Sequence, residues 1–581
     1  MKKCLAIVLA LSLLIGLMPC AIAESTSPYV IVVGGGASGL SAAISAAENG
    51  AKVTLFEKSG ALGGAASYSS GALLRAATEG DPEDADTVED IYDLWMSTSD
   101  EATDADLVRF VAKESAKSVD WLEAQGVEMF PVDCLFVGKN LMVEQSVYVE
   151  DRTLSSGGGS VMVSILEAKA LELGVEIVLN CPATALSTDD QGNVNGVTVQ
   201  PANGEAKTFL SDAVILATGG FGSSQDLLNQ YASKQLGYGT RFVTAPGNTG
   251  DAIEMGTAVG AKTHFPEDVA LGGYVAAAAG FGLNATGMNI TEDGKRFHDE
   301  SHHYGMTYVD ISKQREAGHT QFWALFDQNN FAEMAEAAVE AGTMVKADTI
   351  EALAEQIGVD PAALKDTCDR YTEFAGQDDP DFGKTAPYMK GMSAAPFYAT
   401  RLATISVGTF GGLCINTQAQ ILDENNHPIS NLYGAGACAN GSFFAKGYPY
   451  SGSCLQYSVT TGIQAGKNAA AAEAAVDAPE SVIAELSMNG PAVELGENEY
   501  LGVGSGIGGD LYVKVTMDGD KIASVEIVEH HETDGISDPA RNQIPDMIVA
   551  ANSTEVDNIS GATITSKAIK EAVDAALVQV K

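Results

Sequence analysis

Tyr29-Val-Ile-Val-Val33, Gly34-Gly35-Gly36-Ala37-Ser38-Gly39 and Lys52-Val-Thr-Leu-Phe56-Glu57 decide the fold of this chain. The first piece is a short continuous apolar run, as expected of a strand buried on both faces. The second is a glycine-rich turn that opens a helix-like run from Leu40 to Asn49, and the third is another strand closed by a carboxylate. A strand, a glycine turn, a helix, a second strand and an acid ~20 residues on are the parts of a dinucleotide-binding βαβ unit, in order. Gly34 permits the tight turn, Gly36 lets backbone approach a pyrophosphate, and Gly39 lets helix and strand pack closely. Ala37 and Ser38 open the helix, whose unpaired N–H groups and positive dipole end face the phosphates. Glu57 is placed to accept hydrogen bonds from a ribose, with Lys58 beside it.

Strand and helix patterns alternate outward from this unit to about Arg241, as a doubly wound α/β sheet requires. Gly60 to Gly71, containing Gly63-Gly64, is a small-residue loop suited to close backbone approach to a cofactor. Asp151 to Ser160, with Gly157-Gly158-Gly159, reads equally as a second such loop or as a flexible surface turn. Val214-Ile-Leu-Ala-Thr218-Gly219-Gly220-Phe221 is a buried strand entering a glycine turn, and Leu432-Tyr433-Gly434-Ala435-Gly436 repeats that form much later. The intervening region carries isolated helices at Thr349 to Gln356 and Ala362 to Phe374, and a polar loop at Gln377 to Lys384. The pattern predicts a split nucleotide domain, 27–244 and 395–476, closed by an Ala-rich helix from Gly462 to Ala475. An inserted α+β cap domain occupies 245–394, a linker 477–498, and a small α+β module 499–581. In that module Asp510 to Met517 and Lys521 to Glu529 form a hairpin, and Thr565 to Val580 an amphipathic helix.

The chain has 581 residues and a formal charge of −44. Nucleic acid is excluded as a partner, since phosphate binding needs clustered Lys and Arg and none is visible. Met1 to Ala23 has Lys2-Lys3, an apolar run from Leu5 to Leu17 and Ala21-Ile22-Ala23, the form of a secretory signal peptide; Pro19 before Cys20 argues against a lipoprotein site. Export as a soluble extracellular or cell-envelope protein is the expectation, because no later segment has ~18 uninterrupted apolar residues. The remaining cysteines show no paired spacing and sit mostly in apolar or Gly-rich runs, where a small buried thiol is expected. No C-x-x-C-H motif is present, which excludes covalent c-type haem.

The fingerprint, Thr218-Gly219-Gly220 and Gly434-Ala435-Gly436 together resemble the FAD domain of the fumarate reductase and flavocytochrome c superfamily, which includes the 3-ketosteroid dehydrogenases. Gly250-Asp251, Gly294-Lys295-Arg296-Phe297, and Asp360-Pro361 with Arg370-Tyr371 resemble that superfamily's cap. The resemblance implies non-covalent FAD held by Gly34, Gly36, Ala37, Ser38, Gly39, Glu57, Lys58, Gly63, Gly64, Gly71, Thr218, Gly219, Asp251, Gly434, Gly436 and Leu455, with no metal. The last module resembles an FMN-binding domain that carries flavin by a phosphoester bond. Its signal is Asp557-Asn-Ile-Ser560-Gly561-Ala562-Thr563-Ile-Thr565-Ser566, which implies covalent FMN on Thr563, attached by a flavin transferase. Thr565 is a lesser candidate, and Thr565 or Ser566 could instead N-cap the final helix.

The residues expected to grip a fumarate are replaced. Tyr304 stands where the superfamily's proton-donating Arg is expected, Gly408-Thr409 where His-Thr is, and Tyr448-Pro449-Tyr450-Ser451-Gly452 where Asn-Arg is. These departures resemble the ketosteroid dehydrogenases. The resemblance implies that Tyr304 moves a proton at the carbon α to a carbonyl, while the Tyr448 hydroxyl and Gly452 N–H polarise its oxygen. Tyr450 could share either role, and His302 or His303 could be the donor instead. Because Gly452 acts through its backbone, Gly452→Ala is expected to hurt less than removal of a Tyr. A phenol of pKa ~10 is protonated at neutral pH and suits an acid rather than a base. The expectation is an exported CH–CH oxidoreductase working in anaerobic respiration. It would pass electrons from a membrane or extracellular donor through FMN and FAD to the C=C bond of an enone, steroid-like or otherwise. Arg152 and Arg401 keep an unsaturated carboxylate open as substrate. Oxidative ketosteroid dehydrogenation and a non-catalytic flavin electron carrier stay open as well.

Overall fold

A computed structural model describes residues 27–81, 83, 85–132, 143–147, 157–201, 205–271, 274–276, 286–301, 304–486, 493, 495–496, 498–506, 509–519, 521–530, 532, 535 and 537–580. Its centre is a six-stranded sheet of β1 (Tyr29–Val33), β2 (Lys52–Phe56), β3 (Glu176–Val178), β4 (Ala213–Leu216), β5 (Gln420–Leu422) and β6 (Pro428–Gly434), in the order β5-β6-β4-β1-β2-β3. Every pairing is parallel except β5 with β6. All five residues of β1 are buried, as a strand covered on both faces must be. The strand order reverses beside β1, which places the mouth of the glycine turn at the switch point of the sheet.

The first helix spans Ala37–Glu48, three residues earlier than its apolar run suggests, because Gly36 is its N-cap. It packs against a long helix, Ser453–Ala469. The two backbones meet closely: a Cβ on Gly462 would come within 2.4 Å of the Ser38 carbonyl oxygen, and one on Gly466 within 2.2 Å of that of Ala42. The Ala-rich pattern predicts the long helix over Gly462 to Ala475. It starts nine residues sooner because Gly452, at φ +82°, caps it in the left-handed region, and it ends at Ala469.

The cap contains an antiparallel sheet of Met288–Thr291, Phe322–Asp327, Phe397–Arg401 and Val345–Ala347. Phe397–Arg401 pairs along almost the whole of Phe322–Asp327. The cap sheet therefore reaches past residue 394. The expected helices are present at Ile350–Ile357, capped by the Thr349 hydroxyl, and at Pro361–Glu373, capped by Asp360 with Pro361 in its first turn.

The chain is docked on both sides of residue 477, where the expected linker starts. Asp212 accepts the Ala475 and Val476 N–H groups, and Glu176 accepts those of Val482 and Ile483 at the head of a short helix, Val482–Leu486. The terminal module is a three-stranded antiparallel sheet, Glu499–Gly506, Gly509–Asp518 and Lys521–Glu529, under helices Asp538–Ala551 and Thr563–Leu577. Gly502 and Gly504 belong to a strand that alternation does not reveal, since glycine carries no side chain to alternate. A Cβ at either would strike the carbonyl oxygens of Ala572 and Ala568, at 1.9 and 2.0 Å. No helix among the described residues is long and apolar enough to cross a membrane.

Candidate active site

The βαβ glycines divide their work as their spacing implies. Gly34 has φ +103°, and a Cβ on Gly39 would lie 1.8 Å from the Gly34 carbonyl oxygen, so helix and turn are in backbone contact. At Gly36 the nearest atom to a Cβ is the Gly63 carbonyl oxygen at 3.7 Å, and the helix behind it has no side-chain cap. Open space before a helix N-terminus whose first N–H groups lack a capping side chain fits a phosphate. Gly63 closes the cradle by donating its N–H to the Gly35 carbonyl at 2.8 Å. Gly64 follows it, and Gly71 packs on Gly158. Gly157 to Gly159 thus head helix Gly158–Glu172 and seat it on the loop from Gly60 to Gly71. Residues 151–156 lie outside the described residues.

Glu57 is buried just past the end of β2, where one carboxylate oxygen accepts the Gly35 N–H at 2.7 Å and the other the Ser59 N–H at 2.8 Å. It therefore fixes the turn as well as presenting its remaining lone pairs. Lys58 pairs with Asp251 at 2.7 Å, joining two expected cofactor residues from distant parts of the chain. Thr218 accepts the Ala252 N–H at 3.2 Å, and Gly219 packs on Asn248. Gly436 lies against Ser38, with a Cβ there only 2.5 Å from the Ser38 hydroxyl oxygen. Both glycine turns, some 400 residues apart, therefore converge on one helix N-terminus. Leu455 is partly buried in the long helix.

The second face of the site is built at the start of that long helix. Tyr448 is 7% exposed, and its hydroxyl oxygen accepts the Cys454 N–H at 3.2 Å. This uses one lone pair of the phenol. Trp95 donates its indole N–H to Ser453 at 3.0 Å, and Tyr450 is buried beside it with its carbonyl accepting the Ser453 N–H. Tyr304 begins the cap helix Tyr304–Glu316. A Cβ on the next residue, Gly305, would come within 2.2 Å of the Tyr448 carbonyl oxygen, so the first turn of the cap helix rests on the Tyr448 backbone. The Tyr304 side chain, His302 and His303 lie outside the described residues. A Cβ at Gly452 would meet the Leu73 and Leu74 backbone at 2.7–3.0 Å in addition to its left-handed strain. Gly452→Ala is therefore not the mild change that a backbone-only role implies. The Gly408–Leu413 stretch abuts the same floor: the Thr409 hydroxyl accepts the Phe221 N–H at 3.0 Å.

A family model described as the FAD binding domain matches residues 29–455, most of the chain. The chain belongs to the FAD-binding domain family. Among its relatives, a vinyl phenol reductase from Lactiplantibacillus plantarum is 29% identical, the match covering 77% of this chain and 97% of that protein. A cytochrome-type fumarate reductase from Shewanella frigidimarina is 28% identical, over 76% of each chain. A 3-ketosteroid Δ4-(5α)-dehydrogenase from Rhodococcus jostii RHA1, solved with 4-androstene-3,17-dione, shares the fold with TM-score 0.66 at 23% identity, over 78% of this chain and 99% of that one. The FAD family member described here is thus an FAD-dependent oxidoreductase of the CH–CH class in the fumarate reductase superfamily. A second model, the FMN-binding domain, matches residues 506–578.

Within the FMN-binding domain, Thr563 is exposed as the first residue of helix Thr563–Leu577. Thr565 is buried and donates its hydroxyl to Glu532; Ser566 is buried and donates to the Ala562 carbonyl. Ala562 is the N-cap and no side chain caps the helix, so neither Thr565 nor Ser566 has the capping role that the sequence allowed.

Sequence reading also missed a buried ion quartet in the cap of this FAD enzyme. Arg296 binds Glu300 through two nitrogens at 2.9 and 2.7 Å and Asp379 at 3.0 Å, while Lys384, 0% exposed, reaches Glu300 at 3.1 Å and the Tyr371 hydroxyl at 2.8 Å. Burial alone would raise the Glu300 carboxyl, but Lys384 and Arg296 outweigh it and hold the group far below the usual carboxylate range. The stabilisation is therefore complete above that usual range and is lost only when pH falls towards the much lower folded value. Glu300→Gln should cost about 3–5 kcal/mol by leaving the buried Lys384 without a carboxylate and Arg296 with Asp379 alone, read as a shift in the urea midpoint. A change under about 0.5 kcal/mol, the scale of an ordinary surface substitution, would make the quartet dispensable.

Proposed function

We propose that this protein reduces the C=C bond of an α,β-unsaturated ketone. The observation that supports the reading is the buried Tyr448, whose phenol oxygen accepts the Cys454 N–H at the start of the long helix capped by Gly452, and whose backbone lies against the first turn of the Tyr304 helix. A hydroxyl and a backbone N–H that both donate to a carbonyl oxygen would stabilise the charge it gains as its conjugated bond is reduced. Tyr304 is positioned in sequence to protonate the α-carbon. Flavin, when bound, supplies the hydride for the β-carbon. Of the two arginines that kept a carboxylate substrate open, Arg401 is exposed at the end of a cap strand and Arg152 lies outside the described residues. Arg296 is committed to the quartet.

We read residues 1–23 as an export signal and place the enzyme outside the cytoplasm, with electrons arriving from a membrane or extracellular donor through FMN on Thr563. A second reading draws on the vinyl phenol reductase relative: an alkene conjugated to a phenol also delivers charge to an oxygen. Anaerobic turnover of reduced viologen with enones, enoates and vinyl phenols separates the readings. Oxidation of viologen by enones is the expected result. Turnover confined to enoates would replace the ketone with a carboxylate, and none with any substrate would favour an electron carrier. Turnover of saturated ketones with an artificial acceptor would support the oxidative direction.

A further inference from the structure

The long helix Ser453–Ala469 begins without a side-chain cap, because Gly452 stands at its N-cap in the left-handed region and has no side chain to offer. Its first turn is held by other groups. The Tyr450 carbonyl accepts the Ser453 N–H at 3.3 Å, and the Tyr448 phenol oxygen accepts the Cys454 N–H at 3.2 Å. Both tie the turn to the loop just before it. The Ser453 hydroxyl accepts the Trp95 indole N–H at 3.0 Å, and this bond reaches a part of the chain 358 residues away.

Trp95 is itself fixed. It is 2% exposed and lies in helix Val88–Met96, whose start carries a reciprocal capping box between Thr87 and Asp90. Its carbonyl accepts the Thr98 hydroxyl at 3.1 Å, and the Thr98 carbonyl accepts the N–H of Lys446, two residues before Tyr448, at 2.7 Å. Its ring meets Phe443 edge-on at 5.3 Å; Phe443 meets Phe444 edge-on at 4.6 Å, and Phe444 packs on the Tyr448 ring at 6.5 Å. Trp95 and Thr98 therefore join the loop that carries Tyr448 to the helix turn that supplies its N–H partner. A phenylalanine would make the ring contacts equally well, but it has no N–H for Ser453.

We infer that Trp95 and Ser453 are positioning residues for Tyr448. The inference rests on the reading of Tyr448 as the phenol that polarises the substrate oxygen. A buried indole finds an acceptor in most folds, so the bond alone is ordinary; its place gives it a role. The Cys454 N–H lies in the peptide plane that starts at the Ser453 Cα. Holding the Ser453 side chain limits rotation of that plane, and with it where the phenol oxygen rests. Both residues are buried and act through the Cys454 N–H.

The test is a double-mutant cycle on kcat for the full protein, with reduced viologen and the enone turned over fastest in the panel. Trp95→Phe keeps the ring and drops the donor; Ser453→Ala drops the acceptor. Each should lower kcat about tenfold, below the ~10²-fold that a misplacement of about 1 Å costs. KM should stay within about twofold, because the lost interaction is one made in the transition state. In a Tyr448→Phe background each should change kcat by less than about twofold, since the group it positions is gone. A bond that serves packing alone lowers kcat by the same factor in both backgrounds; that result overturns the inference, as does a parental kcat in both single variants. Ser453→Ala leaves a buried indole N–H without its acceptor. Should that variant not fold, Trp95→Phe combined with Ser453→Ala removes both partners and enters the same comparison. Tyr448→Phe at the parental rate removes the Tyr448 reading and the inference with it. A slow Tyr448→Phe on which the other losses multiply removes the inference alone.

Discussion

A Tyr448→Phe protein should reduce its substrate about 10²–10³ times more slowly, a loss of ~2.7–4 kcal/mol of barrier stabilisation, the cost of one oxyanion donor in a dry site. The change removes one oxygen from a buried ring and leaves the aromatic packing against Phe444 in place. The Cys454 N–H loses its acceptor, which costs about 1–3 kcal/mol of stability if no water replaces it, so a melting curve belongs beside the kinetics. The effect should fall on kcat and kcat/KM alike, because the interaction strengthens as charge reaches the substrate oxygen. Stopped-flow oxidation of the reduced enzyme by an enone measures it directly. A rate within about twofold of the parent would leave less than a kcal/mol for the phenol and end the ketone assignment.

The second large effect concerns electron delivery. Thr563→Ala should abolish the FMN adduct in intact-mass measurement and stop turnover driven through the terminal module, while turnover with reduced viologen persists. Thr563 is exposed at the first position of a 15-residue helix with no side-chain cap. A phosphoester there would meet unpaired N–H groups and the positive end of the dipole. Thr565→Ala should keep the adduct and lose only the hydrogen bond to Glu532, about 1–3 kcal/mol for a buried acceptor left unsatisfied. An adduct that survives Thr563→Ala and vanishes in Thr565→Ala would reverse the assignment.

The parts of the fold that were legible are those in which neighbours in sequence are also neighbours in space. The βαβ unit was readable because its strand, turn, helix and acid occur within Tyr29 to Glu57, and Gly39 meets the Gly34 carbonyl within that span. The helix at Pro361–Glu373 was readable from Asp360-Pro361 for the same reason. The Gly502 and Gly504 strand was not, because its packing partner lies on a helix about 70 residues away. The early start of the long helix was missed although Gly452-Ser453 carries a start signal, because the Tyr and Pro before it read as loop.

By itself the sequence determined the nucleotide fingerprint and the FAD and FMN modules. Those features reside in short motifs whose chemistry is local. Only the tertiary structure decided that Gly436 meets Ser38, that the first turn of the Tyr304 helix rests on Tyr448, and that Cys454 supplies the N–H to the phenol. It likewise decided that Glu300 is a structural ion held between Arg296 and Lys384. The role of a carboxylate depends on its burial and on which charges surround it, and both are set by chain segments far away in sequence.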